Sequence, residues 1–185
     1  HDDPHCGDAW HLAIEAGGFS VMVADGLGHG EYAEQAARAG EGVFAQNAFL
    51  DSTVLMNDLH IAMNGTRGGA LAVAQYDAEA DNLRFTGVGN IGASLIGPEK
   101  SRGLASHPGI VGVQFRKAHA FDYAQVGGQL LILYSDGLQS RWNLSDYPGL
   151  VHRHPALIAA VLHRDFCRGR DDVTVFLIAL EAIDG

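Results

Sequence analysis

Val23-Ala24-Asp25-Gly26-Leu27-Gly28-His29-Gly30 is the stretch on which the reading of this chain turns. It ends the apolar run Phe19 to Ala24 on an acid and then interrupts it with glycines at alternate positions. Such glycines stop a strand and let the backbone take angles that approach a ligand closely. A second apolar run, Trp10 to Ala16, precedes it across Gly17-Gly18, which predicts a hairpin. Asp25 therefore sits at a strand end, on a rigid support with a permissive loop beyond.

The same device recurs. Leu130 to Tyr134 is continuously apolar, reads as a buried strand, and runs into Ser135-Asp136-Gly137. Asp8 follows Gly7 near the chain start, and Arg168-Gly169-Arg170-Asp171-Asp172 leads into a predicted strand over Val173 to Leu180. Between these lie a predicted helix over Glu31 to Phe49, a second over Ser52 to Met63 capped by Asp51 or Ser52, and a third over Pro155 to Phe166. Short strands are predicted over Ala70 to Tyr76, Leu83 to Val88, Ala93 to Ile96 and Ala118 to Tyr123, separated by turns such as Asp81-Asn82 and Gly97-Pro98.

Short aspartates on strand ends suit a hard divalent cation, which takes oxygen ligands and keeps several waters. Four clustered carboxylates would resist ionisation without compensating metal charge, so Asp8, Asp25, Asp136 and Asp171 together suggest a two-cation site. Such a site activates water for attack on a phosphoryl group and needs no Cys or Ser nucleophile. Taken singly, an Asp-Gly pair is most often a turn. Two such pairs that follow strongly apolar strands, with two more glycine-associated acids flanking them in the chain, raise the signal above that of a turn.

Composition narrows the alternatives. The chain has 185 residues, fits one domain spanning 1–185, and is 47% hydrophobic and 18% charged, with a formal charge of −10. Scarce Lys and Arg argue against nucleic acid as a partner. Cys6 and Cys167 lack zinc-type spacing and suggest no disulfide framework, consistent with a reducing cytoplasm. No apolar stretch approaches the ~20 residues that span a bilayer and no signal peptide opens the chain, so no membrane association is expected. His1 is not a methionine, so a few native residues are expected to be missing or processed. The sequence does not set an oligomeric state.

Cys6-Gly7-Asp8, Val23 to Gly30, Gly87-Val88-Gly89-Asn90, Ser135-Asp136-Gly137-Leu138 and Arg170-Asp171-Asp172-Val173-Thr174 occur in the order seen in type 2C-like (PPM) protein phosphatases. The chain most resembles the SpoIIE branch and its compact RsbX-type enzymes, nearly end to end. The resemblance implies an α+β, four-layer α/β/β/α sandwich: two antiparallel sheets flanked by helix pairs, with metals at one end. It also implies two Mn²⁺ or Mg²⁺ ions. Asp25 would bridge them, the Gly26 carbonyl and Asp8 would serve one, and Asp136 and Asp171 the other, with Asp172 a surface acid or support. Asp25 and Asp136 would be central to catalysis.

His29 would shape its loop or donate a proton to the leaving oxygen. Asn90 would order a turn, and Arg67 would meet a phosphate or serve the surface. His107, His152, His154 and His163 read as surface residues. Asp8, nearest the start, is the acid expected to be disordered or unliganded. The implied reaction is hydrolysis of phosphoserine or phosphothreonine on a STAS-domain stressosome protein or anti-anti-sigma factor. A non-catalytic docking module of the same fold, or a hydrolase of small phosphate esters, are the alternatives.

Overall fold

A computed structural model describes residues 4–98, 100–169 and 171–181. Arg170, part of the last motif, and the chain start at His1 lie outside the described residues. In order, β1 spans Asp8–Glu15, β2 Gly18–Gly26, α1 Glu31–Asn47, α2 Ser52–Ala62, β3 Gly69–Asp77, β4 Asn82–Val88, β5 Gly92–Ile96 and β6 Ser101–Gly103. Then come β7 Phe121–Ala124, β8 Leu130–Tyr134, α3 Pro155–Phe166 and β9 Val175–Ala179. All pairings of these strands are antiparallel, giving one sheet in the order β1-β2-β3-β4-β7 and another in the order β6-β5-β8-β9.

Period-two alternation along each strand builds the layers, because successive side chains point to opposite faces. Val21 and Val23 of β2 join Ala72, Leu83 and Phe85 against Leu95, Leu131 and Leu133 of the second sheet. Met22 and Ala24 face the other way, into a cluster with Phe44 of α1 and Leu55, Met56 and Leu59 of α2. In β8, Leu130 and Ile132 turn outward onto Ile158 and Leu162 of α3. Continuous apolar runs are therefore strands buried on both faces, and the result is α+β with two sheets inside and helices outside.

Local chemistry sets the helix ends. Asp51, rather than Ser52, caps α2 by accepting from Thr53 N and Val54 N, while Ser52 Oγ is buried 2.8 Å from Thr86 Oγ1. α3 begins with Pro155 behind the cap His154. The outer layer on this side is α3 with two short 3₁₀ turns, Leu144–Asp146 and Leu150–His152, in place of a full helix pair. The predicted strand over Ala118 to Tyr123 begins later, at Phe121, since Ala118 packs into the α1–α2 cluster. β6 was not anticipated; three exposed residues carry no apolar pattern. Among the described residues, no helix is long and apolar enough to cross a membrane.

Phe85 is wholly buried between the sheets, so Phe85→Ala should cost ~3–5 kcal/mol of unfolding free energy by urea denaturation. A loss below ~1 kcal/mol would contradict the two-sheet core.

Candidate functional site

The register of the first hairpin places Asp8 directly opposite Asp25, and Asp25 opposite Ala70 on its other side. Both acids thus lie at one end of the first sheet. From the second sheet, Asp136 follows the end of β8 and Asp171 and Asp172 precede β9, the two strands being joined beyond their ladder by Ser135 N donating to Thr174 O at 3.1 Å. Two further bonds fasten the sheets together at this end. Ser135 Oγ donates to Asp8 Oδ2 at 2.6 Å, and Gly7 N donates to Asp172 Oδ2 at 2.6 Å.

Two glycines are sterically required. A Cβ on Gly26 would fall 2.0 Å from Ala33 O, where the first turn of α1 comes down on the strand end; one on Gly137 would fall 1.9 Å from Asp172 O. The glycine after each acid therefore lets another segment close on the site.

Electrostatics give the four acids unequal roles. Asp25 is half-buried and is pushed up to about 7, first by burial, then by the charges of Asp8, Asp136 and Asp171; the Asp136 backbone N–H opposes the rise. Asp8 is also raised, chiefly by burial, against hydrogen bonds from Ser135 and Thr174. Asp136 and Asp171 are exposed. Asp25 is thus the common neighbour of the other three. Asp8, expected to be the least ordered, is instead the most buried of the four, at 8% exposure.

Asp171 and Asp172 separate by their partners. Asp172 is bound to Gly7 N and its charge raises Asp8, more than that of Asp171 does, while Asp171 acts electrostatically on Asp25 as well and accepts from Asp172 N at 3.0 Å. Asn90 has a role that the sequence reading missed: its Nδ2 donates to Asp136 Oδ2 at 2.9 Å, tying the loop after β4 to the acid after β8. Arg67 lies against Gly28 with its guanidinium carbon 4.9 Å from the centroid of the Tyr32 ring, bracing the glycine loop against α1. His29 is exposed in that loop. The Cys6 thiol is raised, mainly by desolvation and nearby acids, which is the reverse of nucleophile activation.

The oxygen-only donor set suits a hard divalent cation. Among the described residues no group of three His, Cys, Asp or Glu side chains is gathered to hold a metal through side chains alone. Mg²⁺ typically keeps several waters and uses one or two carboxylates, so a spread of acids about Asp25 fits such an ion.

No protein-family model matches the chain, and no curated protein sequence matches it. Solved structures do. A chain from a study of the bacterial stressosome, a modular system adapted to control secondary messenger signalling, is similar at a TM-score of 0.86 and 23% identity, covering 96% of this chain and 93% of that one. The fold is that of the PP2C-type phosphatases. RsbX in complex with magnesium is similar at 0.83 and 20% identity, over 96% and 88% of the two chains. The PP2C phosphatase domain of Bacillus subtilis SpoIIE, solved with a fragment of its regulatory domain, is similar at 0.77 and 17%, over 98% and 59%.

Because folding raises the Asp25 pKa, the folded protein holds a proton that the unfolded chain releases near its ordinary value of 3.8. That contribution is complete below about pH 4 and is lost as pH rises toward 7. In chelator, Asp25→Asn should therefore match the parent protein near pH 4 and exceed it by ~1–2 kcal/mol at pH 7.5 in urea denaturation. An unchanged difference between the two pH values would contradict the charge clustering.

Proposed function

We propose that residues 1–185 form one metal-dependent protein-serine/threonine phosphatase domain. The observation that carries this reading is the position of Asp25, whose charge is opposed by Asp8, Asp136 and Asp171 at the joined ends of two sheets. In this reading Asp25, Asp8, Asp136, Asp171 and the Gly26 carbonyl would hold two Mn²⁺ or Mg²⁺ ions, with Asp25 shared between them. Asp172 would support the site through Gly7 N.

Divalent cations bound there supply a water nucleophile ionised near neutral pH and positive charge for the phosphoryl oxygens. The chain's own part is to hold the carboxylates in place. Ser135 fixes one Asp8 oxygen and Asn90 one Asp136 oxygen, which leaves each acid its other oxygen and limits its rotation. The Arg67–Tyr32 contact holds the exposed glycine loop beside the site, where a phosphorylated segment would approach.

The substrate in this reading is phosphoserine or phosphothreonine on a STAS-domain regulatory protein in the cytoplasm. Likeness to the stressosome chain and to RsbX supports that choice, together with the motif order of the sequence.

With Mn²⁺, the protein should dephosphorylate a phosphorylated STAS-domain protein, and chelator should abolish turnover. Asp25→Ala should lower kcat at least ~10³-fold while the protein still unfolds cooperatively. Full activity of Asp25→Ala, or turnover indifferent to chelator, would remove the metal-site assignment. Turnover of p-nitrophenyl phosphate with none of the phosphoprotein would favour a small-ester hydrolase.

A further inference from the structure

The chain carries 22 Asp and Glu, yet residues 100–121 contain none. That segment holds Lys100, Arg102, Arg116 and Lys117 with His107 and His119, a cationic island in a protein of formal charge −10. In the fold its later part, from His107 to His119, lines an open cavity of about 500 Å³ that includes Gln114, Phe115, Arg116 and Lys117. Elsewhere, Arg38, Arg84 and Arg164 are engaged by carboxylates, whereas among the described residues Arg116 and Lys117 have no acidic partner. Two exposed cations are thus left facing solvent at a concave surface.

The cavity is built on fixed supports. Ile110 and Gln114 exchange backbone hydrogen bonds of 2.8 and 2.9 Å, and Gly112 N donates to His60 Nδ1 of α2 at 2.8 Å. The His107 ring lies between His119, 4.6 Å away centroid to centroid, and Phe121, stacked at 5.5 Å. His107 is not the surface residue expected from sequence: its Nε2 and the neighbouring Ser106 Oγ are buried without a hydrogen-bond partner.

It is also joined to the acid cluster. His107 N donates to Gly87 O at 2.8 Å and Gly89 N to His107 O at 2.9 Å; the next residue, Asn90, binds Asp136. The cavity and the acid cluster are thus fastened to the same loop after β4.

We propose that this cavity is a second recognition subsite, in which Arg116 and Lys117 bind carboxylates of an acidic segment flanking the phosphorylated residue of the protein substrate. The inference rests on the phosphatase reading for its substrate but not for its chemistry. A surface dominated by acids repels an acidic partner, and a local cationic hollow sets where such a partner docks. Arg fits a carboxylate in two-point geometry and Lys adds a point charge.

The test compares two phosphoserine peptides, one flanked by glutamates and one by glutamines, in the Mn²⁺-loaded protein. The KM for the acidic peptide should be about tenfold lower, and Arg116→Glu with Lys117→Glu should bring the ratio of the two KM values to one or invert it. A parent protein without preference, or a double variant that keeps it, overturns the subsite. If neither peptide is hydrolysed, the phosphatase reading fails and a second arm decides the subsite alone. The unphosphorylated glutamate peptide, titrated into metal-free protein in chelator, should shift the imidazole NMR signals of His107 and His119 saturably in the parent and not in the double variant. No shift in the parent, or equal shifts in both, overturns it.

Discussion

Negative charge on Asp25 is opposed from three directions, by Asp8 across the hairpin and by Asp136 and Asp171 from the other sheet, while burial removes the water that would otherwise relieve it. Like charges directly opposite on paired strands destabilise a hairpin, and four such groups at one place need a reason to persist. Much of the architecture serves to hold them there. The core between the sheets fixes where the strand ends emerge, and Ser135–Asp8 and Gly7–Asp172 lock the two sheets at that end. Gly26 and Gly137 admit the neighbouring backbone. Under the proposed reading a cation would relieve this repulsion, making the same acids a liability to stability and an asset to binding.

The fold was legible because its signals are local and strong. Leu130 to Tyr134 and Pro155 to Phe166 have the bounds predicted, one as a two-faced apolar strand and the other as a helix opened by proline. Errors arose where no local pattern exists: the exposed β6, and the start of β7, where Ala118 is claimed by packing against α2's cluster. Which acids lie at strand ends was also readable. Their relative burial was not, because Asp8 is enclosed by Ser135 and Thr174, which are more than a hundred residues away in sequence. For the same reason the support given by Asn90 to Asp136 and by Asp172 to Gly7 could not be read from turn chemistry.

Charge is partitioned as unevenly as structure. Acids gather at the joined sheet ends, while a carboxylate-free segment rims a hollow beyond β4. Net charge alone suggests only a poor partner for anions. Its distribution separates an acidic end of the sheets from a hollow lined by Arg116 and Lys117, and the loop carrying Gly89 and Asn90 links them.

The central claim, that this acid cluster is a two-cation site organised by Asp25, is tested most directly by Mn²⁺ anomalous scattering from crystals of the metal-loaded protein. Two peaks ~3.5–4 Å apart, with Asp25 reaching both, Asp8 on one side and Asp136 and Asp171 on the other, is the predicted result. Manganese absent from this end of the sheets, or held without Asp25, would contradict it.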